Sequence, residues 1–199
     1  MIDAAELVAD DAVLAGLVGF DDQAVVVARH DLEVDVGRVE AEAVVDVDRR
    51  QVEGVAHSLL ELERGTASRL TFDPADDFNP AFSPDGTRIL FTSTRKGPRD
   101  IYGKASTGVG EDEPVLESEN AKNVDDLSPD GRLVVYDTGG GVGAEAANDL
   151  WVAPLDGDRK PIPFLVRPFT DTQARVSPDG RFIAYSSNES GAQEVYVMD

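Results

Sequence analysis

The chain has 199 residues and a mass of 21.3 kDa, the size of one ordinary domain or two small ones. Its 39 acidic against 18 basic residues give a formal charge of -21, which excludes the basic patch that a nucleic-acid binder needs to displace counterions from phosphate. Cysteine is absent, so disulfide scaffolds, thiolate zinc sites and cysteine nucleophiles are excluded. No apolar run approaches the roughly 18 residues of a membrane span, and Asp3, Glu6, Asp10 and Asp11 carry the wrong charge sign for a secretory leader.

Residues 1–56 differ in composition from residues 57–199. The first segment contains 14 Val and 10 Ala, with Phe20 its single aromatic and no Lys, Pro, Ser, Thr or Asn. Leu32, Val34 and Val36 alternate with acids and other residues, as do Val39, Ala41, Ala43, Val45 and Val47, the period-2 signature of half-buried strands. Val, Ala, Asp, Glu and Gly together supply 42 of the 56 residues, and all five are encoded by codons beginning with G. Two readings follow: a misassigned start translated in a wrong frame, or a genuine acidic Val/Ala-rich segment.

The second part contains a repeat. Ser-Pro-Asp-Gly occurs at Ser83–Gly86, Ser128–Gly131 and Ser177–Gly180, at intervals of 45 and 49 residues. Each copy is followed by an apolar run containing an aromatic, beginning at Arg88, Arg132 and Arg181, and then by an acid with an apolar–aromatic pair: Asp100-Ile-Tyr, Asp149-Leu-Trp and Glu194-Val-Tyr. Proline pre-sets φ near -65°, serine and aspartate supply local acceptors, and glycine takes the positive φ that closes a hairpin. The spacing predicts a strand before each corner (Pro80–Phe82, Asp125–Leu127, Gln173–Val176), a second after it, a third at the acid–aromatic pair and a fourth near Pro114–Glu117 and Pro163–Val166. Four short antiparallel strands per repeat make a propeller blade.

On these motifs the chain resembles the TolB-like, WD-repeat-like β-propeller family over roughly residues 57–199; Phe82-Ser-Pro-Asp-Gly, Asp149-Leu-Trp-Val and Glu194-Val-Tyr-Val-Met-Asp carry the likeness. The expected fold is all-β, an incomplete propeller arc of about three four-stranded antiparallel blades, around residues 57–72, 73–118, 119–166 and 167–199. His57–Glu63 and Ser68–Phe72 would be the third and fourth strands of the leading blade, making thirteen strands in all. Asp125-Asp126-Leu127 departs from the pattern by placing acids on an innermost strand, which predicts poorer packing of the middle blade. Open blade edges predict an unstable or self-associating chain.

Chemistry-bearing residues are few. Gly139–Ala146 satisfies Gly-x-Gly-x-x-Ala, but it falls between strands of an antiparallel repeat, where an enlarged loop is expected instead of a dinucleotide site. His30 and His57 are the only histidines, no Gly-x-Ser-x-Gly elbow exists, and His57 is expected at the surface. Asp85, Asp130 and Asp179 recur because turns need them. Calcium would draw on Asp73, Asp76, Asp77 and Asn79, or Asp156 and Asp158, but neither set forms a defined calcium loop, and Leu155–Asp158 reads as a hairpin turn. The expectation is therefore no catalytic residue, no metal and no cofactor.

Loops between second and third strands share one end of a blade with the blade-to-blade connections. That end gathers the candidate partner-binding residues Arg95, Lys96, Arg99 and Asn188. The resemblance implies a non-catalytic module that binds a protein or peptide, without nucleic acid or membrane insertion, in the periplasm or another extracytoplasmic space. It could serve as the sensor part of a larger envelope or kinase-linked protein. The alternative is the propeller cap of a prolyl-oligopeptidase-like serine peptidase lacking its hydrolase domain.

Overall fold

Alternating apolar residues broken by proline–glycine corners favour short antiparallel strands. The computed structural model, which describes residues 26–29, 42–47, 56–61, 66–139 and 147–199, has no helix among them. The chain divides into two units, Met1–Pro74 and Ala75–Asp199.

In the first unit β1 (Val26–Arg29), β2 (Glu42–Val47), β3 (Ala56–Glu61) and β4 (Thr66–Arg69) form one antiparallel sheet in chain order. β2 lies in the alternating run Val39–Val47, whereas Leu32–Val36 is outside the described residues. β2 pairs with β3 along its whole length, from Val47 opposite Ala56 to Glu42 opposite Glu61. The compositional break near residue 56 therefore falls inside a sheet. His57, expected at the surface from its place at the start of a strand, is instead fully buried. Its N–H donates to Thr71 Oγ1 (2.9 Å) and its carbonyl accepts from the Leu70 N–H (2.9 Å).

The second unit holds three successive sheets. The first is β5 (Asp77–Phe82), β6 (Arg88–Ser93), β7 (Asp100–Ala105) and β8 (Glu113–Leu116). The middle sheet is β9 (Asn123–Leu127), β10 (Leu133–Asp137), β11 (Leu150–Pro154) and β12 (Ile162–Leu165). The last is β13 (Asp171–Val176), β14 (Ile183–Ser187) and β15 (Glu194–Met198). All are antiparallel meanders in chain order, so the expected all-β arc of consecutive blades is present.

The three corners are built alike. Gly86, Gly131 and Gly180 adopt φ of 71°, 69° and 70°, and each donates its N–H to the carbonyl of the corner serine at 2.8 Å. The serine hydroxyl donates to the aspartate two residues on (2.6 Å in each copy) and accepts the N–H of Arg88, Leu133 or Phe182 at 2.9 Å. Those bonds hold Asp85 and Asp130 at pKa values of about 2 and lower Asp179 as well, with the serine hydroxyl the largest cause. The corners also stack: a Cβ on Gly131 would lie 3.5 Å from Pro84, and one on Gly180 would lie 3.7 Å from Pro129.

Side chains alternate between the two faces of each sheet, and each seam buries one face of two neighbours. Leu90 and Ile101 of the first sheet meet Val124, Leu127, Val134 and Tyr136 of the middle one. Val135 and Leu150 on the opposite face of the middle sheet meet Ala174 and Tyr185 of the last. Every innermost strand carries a β-bulge, with Asn79 (φ 49°) and Gln173 (φ 56°) in left-handed conformation. One of the aberrant acids of the middle sheet has a structural use: Asp126 Oδ2 accepts the Val176 N–H of β13 at 2.9 Å, while Asp125 contributes its backbone carbonyl, which accepts from Arg175. These bonds tie adjacent blades together.

The acid of the acid–aromatic pair has a role that spacing did not reveal. Asp100 Oδ1 accepts the Ser118 N–H (3.1 Å) and Asp149 Oδ1 accepts the Arg167 N–H (3.2 Å), each holding the chain as it leaves the outermost strand. For the corners, Gly131→Ala forces a Cβ residue into the left-handed region and should lower unfolding free energy in urea by about 1–2 kcal/mol. An unchanged midpoint would contradict that reading of the corner.

Candidate functional site

The four candidate residues sit on the strand end opposite the corners, and their environments differ. The β6–β7 loop is anchored by Thr94, whose N–H donates to the Asp76 carbonyl (3.0 Å) and whose Oγ1 accepts the Asp76 N–H (3.1 Å). Next in the chain, Arg95 turns inward. Its guanidinium pairs with Asp77 (3.1 Å) and Asp112 (2.8 Å), donates to Ser93 Oγ (2.9 Å) and lies 4.4 Å from the Tyr102 ring centroid. The side chain is 11% exposed, and Lys104 reaches the same Asp112 at 2.9 Å. Arg95 thus serves the interior of its sheet.

Lys96 faces solvent and pairs with Glu117 at 2.7 Å, which keeps the Glu117 carboxyl below its usual range. An exposed pair of this kind contributes little to stability. Arg99 is half-buried and donates through Nη2 to the Gly139 carbonyl at 3.0 Å, bridging the loops of neighbouring sheets. Asn188, two sheets away on the β14–β15 loop, accepts the Thr170 N–H on Oδ1 at 2.8 Å. It repeats the Thr94–Asp76 tie, since both acceptors stand 18 residues beyond their donors. Lys96, Arg99 and Asn188 therefore share one end of the unit, with Lys96 and Asn188 exposed.

Sequence reasoning missed the ion pairs between sheets. Lys122 is buried with Nζ on Asp100 (2.7 Å) and on the Asn120 carbonyl (2.7 Å), while Arg167 pairs with Asp171 (2.9 Å) and Glu189. No periodicity marks these residues: Asp100 and Glu189 each lie 22 residues from their cation, and only Asp171, four residues from Arg167, is near its partner in sequence. Asp125 was also unforeseen in its state. Burial, reinforced by the Asp137 carboxylate, lifts its pKa to about 8, and Asp137 itself is raised by burial to about 6.

No three of His, Cys, Asp and Glu gather in metal-binding geometry among the described residues. Asp77, one of the calcium candidates, instead binds Arg95, and Leu155–Asp158 forms the β11–β12 turn with Gly157 at φ 71°. β10 and β11, which flank Gly139, pair antiparallel, unlike the parallel unit of a dinucleotide fold. Residues 140–146 of that Gly-rich run, and His30, lie outside the described residues.

The model of the TolB beta propeller domain matches residues 53–199. The chain belongs to that family. Its TolB-type blades resemble those of the putative TolB from Agrobacterium tumefaciens at 21% identity and a TM-score of 0.65, over 79% of this chain and 57% of that one. TolB from Acinetobacter baumannii aligns at 22% identity and a TM-score of 0.60, over 80% of this chain and 38% of that one. A structure from an analysis of two prolyl endopeptidases aligns at 15% identity and a TM-score of 0.56, over 79% of this chain and 25% of that one. The TolB-type chain thus spans about half or less of the length of these structures, and the likeness concerns the fold. No individually curated protein matches it.

Two measurements check the electrostatics of this TolB-type unit. Arg95→Ala leaves the Asp77 and Asp112 carboxylates without that cation and should destabilise the fold by about 3–5 kcal/mol, read by chemical denaturation; a loss below about 1 kcal/mol would place Arg95 among exposed pairs. Asp125 has a folded pKa near 8 against an ordinary 3.8, so between those values the native state holds the extra proton and stability falls as pH rises. Asp125→Asn removes that slope, and its stability relative to the parent should improve steadily from pH 4 to pH 8.

Proposed function

We propose that the chain is a non-catalytic protein-binding module of the TolB type, which captures a protein or peptide through the loop end of its sheets. The supporting observation is the asymmetry of the two strand ends. One end is three stacked corners of the same design. The other carries connections of unequal length, with Lys96 and Asn188 exposed and Arg99 bridging two loops. A rigid scaffold with one variable end is the usual arrangement of a binding surface. No helix among the described residues is long and apolar enough to cross a membrane. On this reading the module works outside the cytoplasm, as the sensor part of a larger envelope or kinase-linked protein.

The likeness to prolyl endopeptidases favours a second reading, the propeller cap of a serine peptidase. The two diverge in the surrounding gene: an elbow serine encoded downstream would support the peptidase. A capture experiment tests the first reading. Full-length chain on a resin should retain a defined envelope protein, and Lys96→Glu with Arg99→Glu should reduce retention several-fold. Asp85→Asn at the opposite end should leave it unchanged. Equal retention by all variants would count against the loop end.

Self-association is also proposed. Val195 and Val197 are 77% and 67% exposed on β15, whereas Ile101 and Leu150, which stand at the Val195 position in the other sheets, are fully buried by the next sheet. Light scattering after size exclusion should show species larger than 21.3 kDa that diminish in Val195→Lys. A monomer that melts cooperatively and is indifferent to that change would argue otherwise.

A further inference from the structure

The three sheets of the second unit come from one repeat, yet two of them have four strands and the last has three. In the first sheet β8 lies on β7 with Leu116 opposite Ile101, Pro114 opposite Tyr102 and Glu113 opposite Gly103. In the middle sheet β12 lies on β11 in the same way, with Leu165 opposite Leu150, Pro163 opposite Trp151 and Ile162 opposite Val152. Both fourth strands bulge at the same step, where Val115 or Phe164 is the extra residue. Both therefore read proline, apolar, leucine.

The third strand is prepared for that partner in three ways. Its backbone alternates. Asp149 accepts the Thr138 N–H (2.9 Å) and Leu155 donates to the Arg132 carbonyl (2.8 Å), both toward the β10 side, so Leu150 and Val152 turn their groups to β12. The aromatic, Tyr102 or Trp151, stands opposite the proline between ladder bonds, where no proline N–H is needed. The acid before it accepts the backbone N–H of the residue two beyond the leucine, Ser118 on Asp100 (3.1 Å) and Arg167 on Asp149 (3.2 Å).

All three features recur on β15. Counted from the acid, Glu194 stands at the Asp149 position, Val195 and Val197 at those of Leu150 and Val152, and Tyr196 at that of Trp151. Tyr196 is held by stacking on Tyr185 at 5.8 Å, as Tyr102 is on Phe91 at 6.2 Å. Glu194 is exposed, and among the described residues no strand pairs with the outer edge of β15. A second copy of β15 suits that edge poorly. Antiparallel pairing brings Glu194 of one copy to the Asp199 end of the other, on chains of charge -21. A segment flanked by basic residues meets no such repulsion, and β12 itself lies between Lys160 and Arg167.

We infer that the outer edge of β15 takes an extended proline–apolar–leucine segment with basic flanks from a partner protein, as an antiparallel fourth strand. The inference does not depend on capture at the loop end. It shares β15 with self-association but uses the backbone edge of that strand, not its open face.

Fluorescence anisotropy of a fluorescein-labelled peptide with the sequence Lys160–Arg167, titrated with the full chain, tests it. The signal should rise saturably with a Kd on the order of 100 µM. N-methylation of the peptide at Leu165 removes a ladder donor and should weaken binding about tenfold. Val197→Pro takes an N–H from the outer edge without removing a bond to β14, and should have a similar effect. Glu194→Ala, on an exposed side chain, should weaken binding several-fold and serves if Val197→Pro does not fold. No saturable rise would overturn the inference. So would equal affinity for the N-methylated peptide, or undiminished affinity in Glu194→Ala or in a folded Val197→Pro. Copies of the chain that come apart in Val197→Pro, with no peptide uptake by the parent, would overturn it too and give the edge to a second copy.

Discussion

The bond on which the rest of this structure depends is the one between the corner serine and its own turn. Ser83, Ser128 and Ser177 each donate to an aspartate and accept a backbone N–H across the loop, so the polar groups of a four-residue connection are met locally. Proline and a left-handed glycine complete a corner whose geometry does not depend on the rest of the chain. Because the corner fixes register between the first and second strands, it fixes which side chains face each seam. Val134 and Tyr136 then face one neighbour and Val135 the other, and the blades can stack.

Electrostatics divides the same way. At the corners, exposed carboxylates are stabilised as anions by local donors. At the seam, Asp125 is buried against another acid and retains its proton to about pH 8. The two sets therefore respond to acid in opposite directions. Turn aspartates contribute stability above their ordinary pKa near 4 that is lost as pH falls toward 2, whereas Asp125 detracts from stability as pH rises. The ion pairs of Arg95, Lys122 and Arg167 are a third kind: partly or wholly buried cations that close the loop end of each sheet.

The strands were legible because local pattern and tertiary demand coincide. Proline, glycine and alternation mark each strand within a few residues, and the turn role of Asp85, Asp130 and Asp179 follows from their position. Arg95 was not legible as an interior residue: its partners Asp77 and Asp112 lie 18 and 17 residues away, and a basic island in a loop reads as solvent-facing. His57 failed for the same reason, since Thr71 is brought to it only by β3–β4 pairing. Asp126 looked like a defect because its acceptor role requires the next blade.

The stacked corners carry a consequence for how such a chain can change. Because Pro84 rests on Gly131 and Pro129 on Gly180, that end behaves as a staircase in which lengthening one step would lift the next from its support. Inserted residues can be tolerated only at the far end, and the four extra residues of the middle repeat, between Gly131 and Asp149, follow that rule. Added length is thereby channelled to a single rim, leaving the other as a hub built three times to one design.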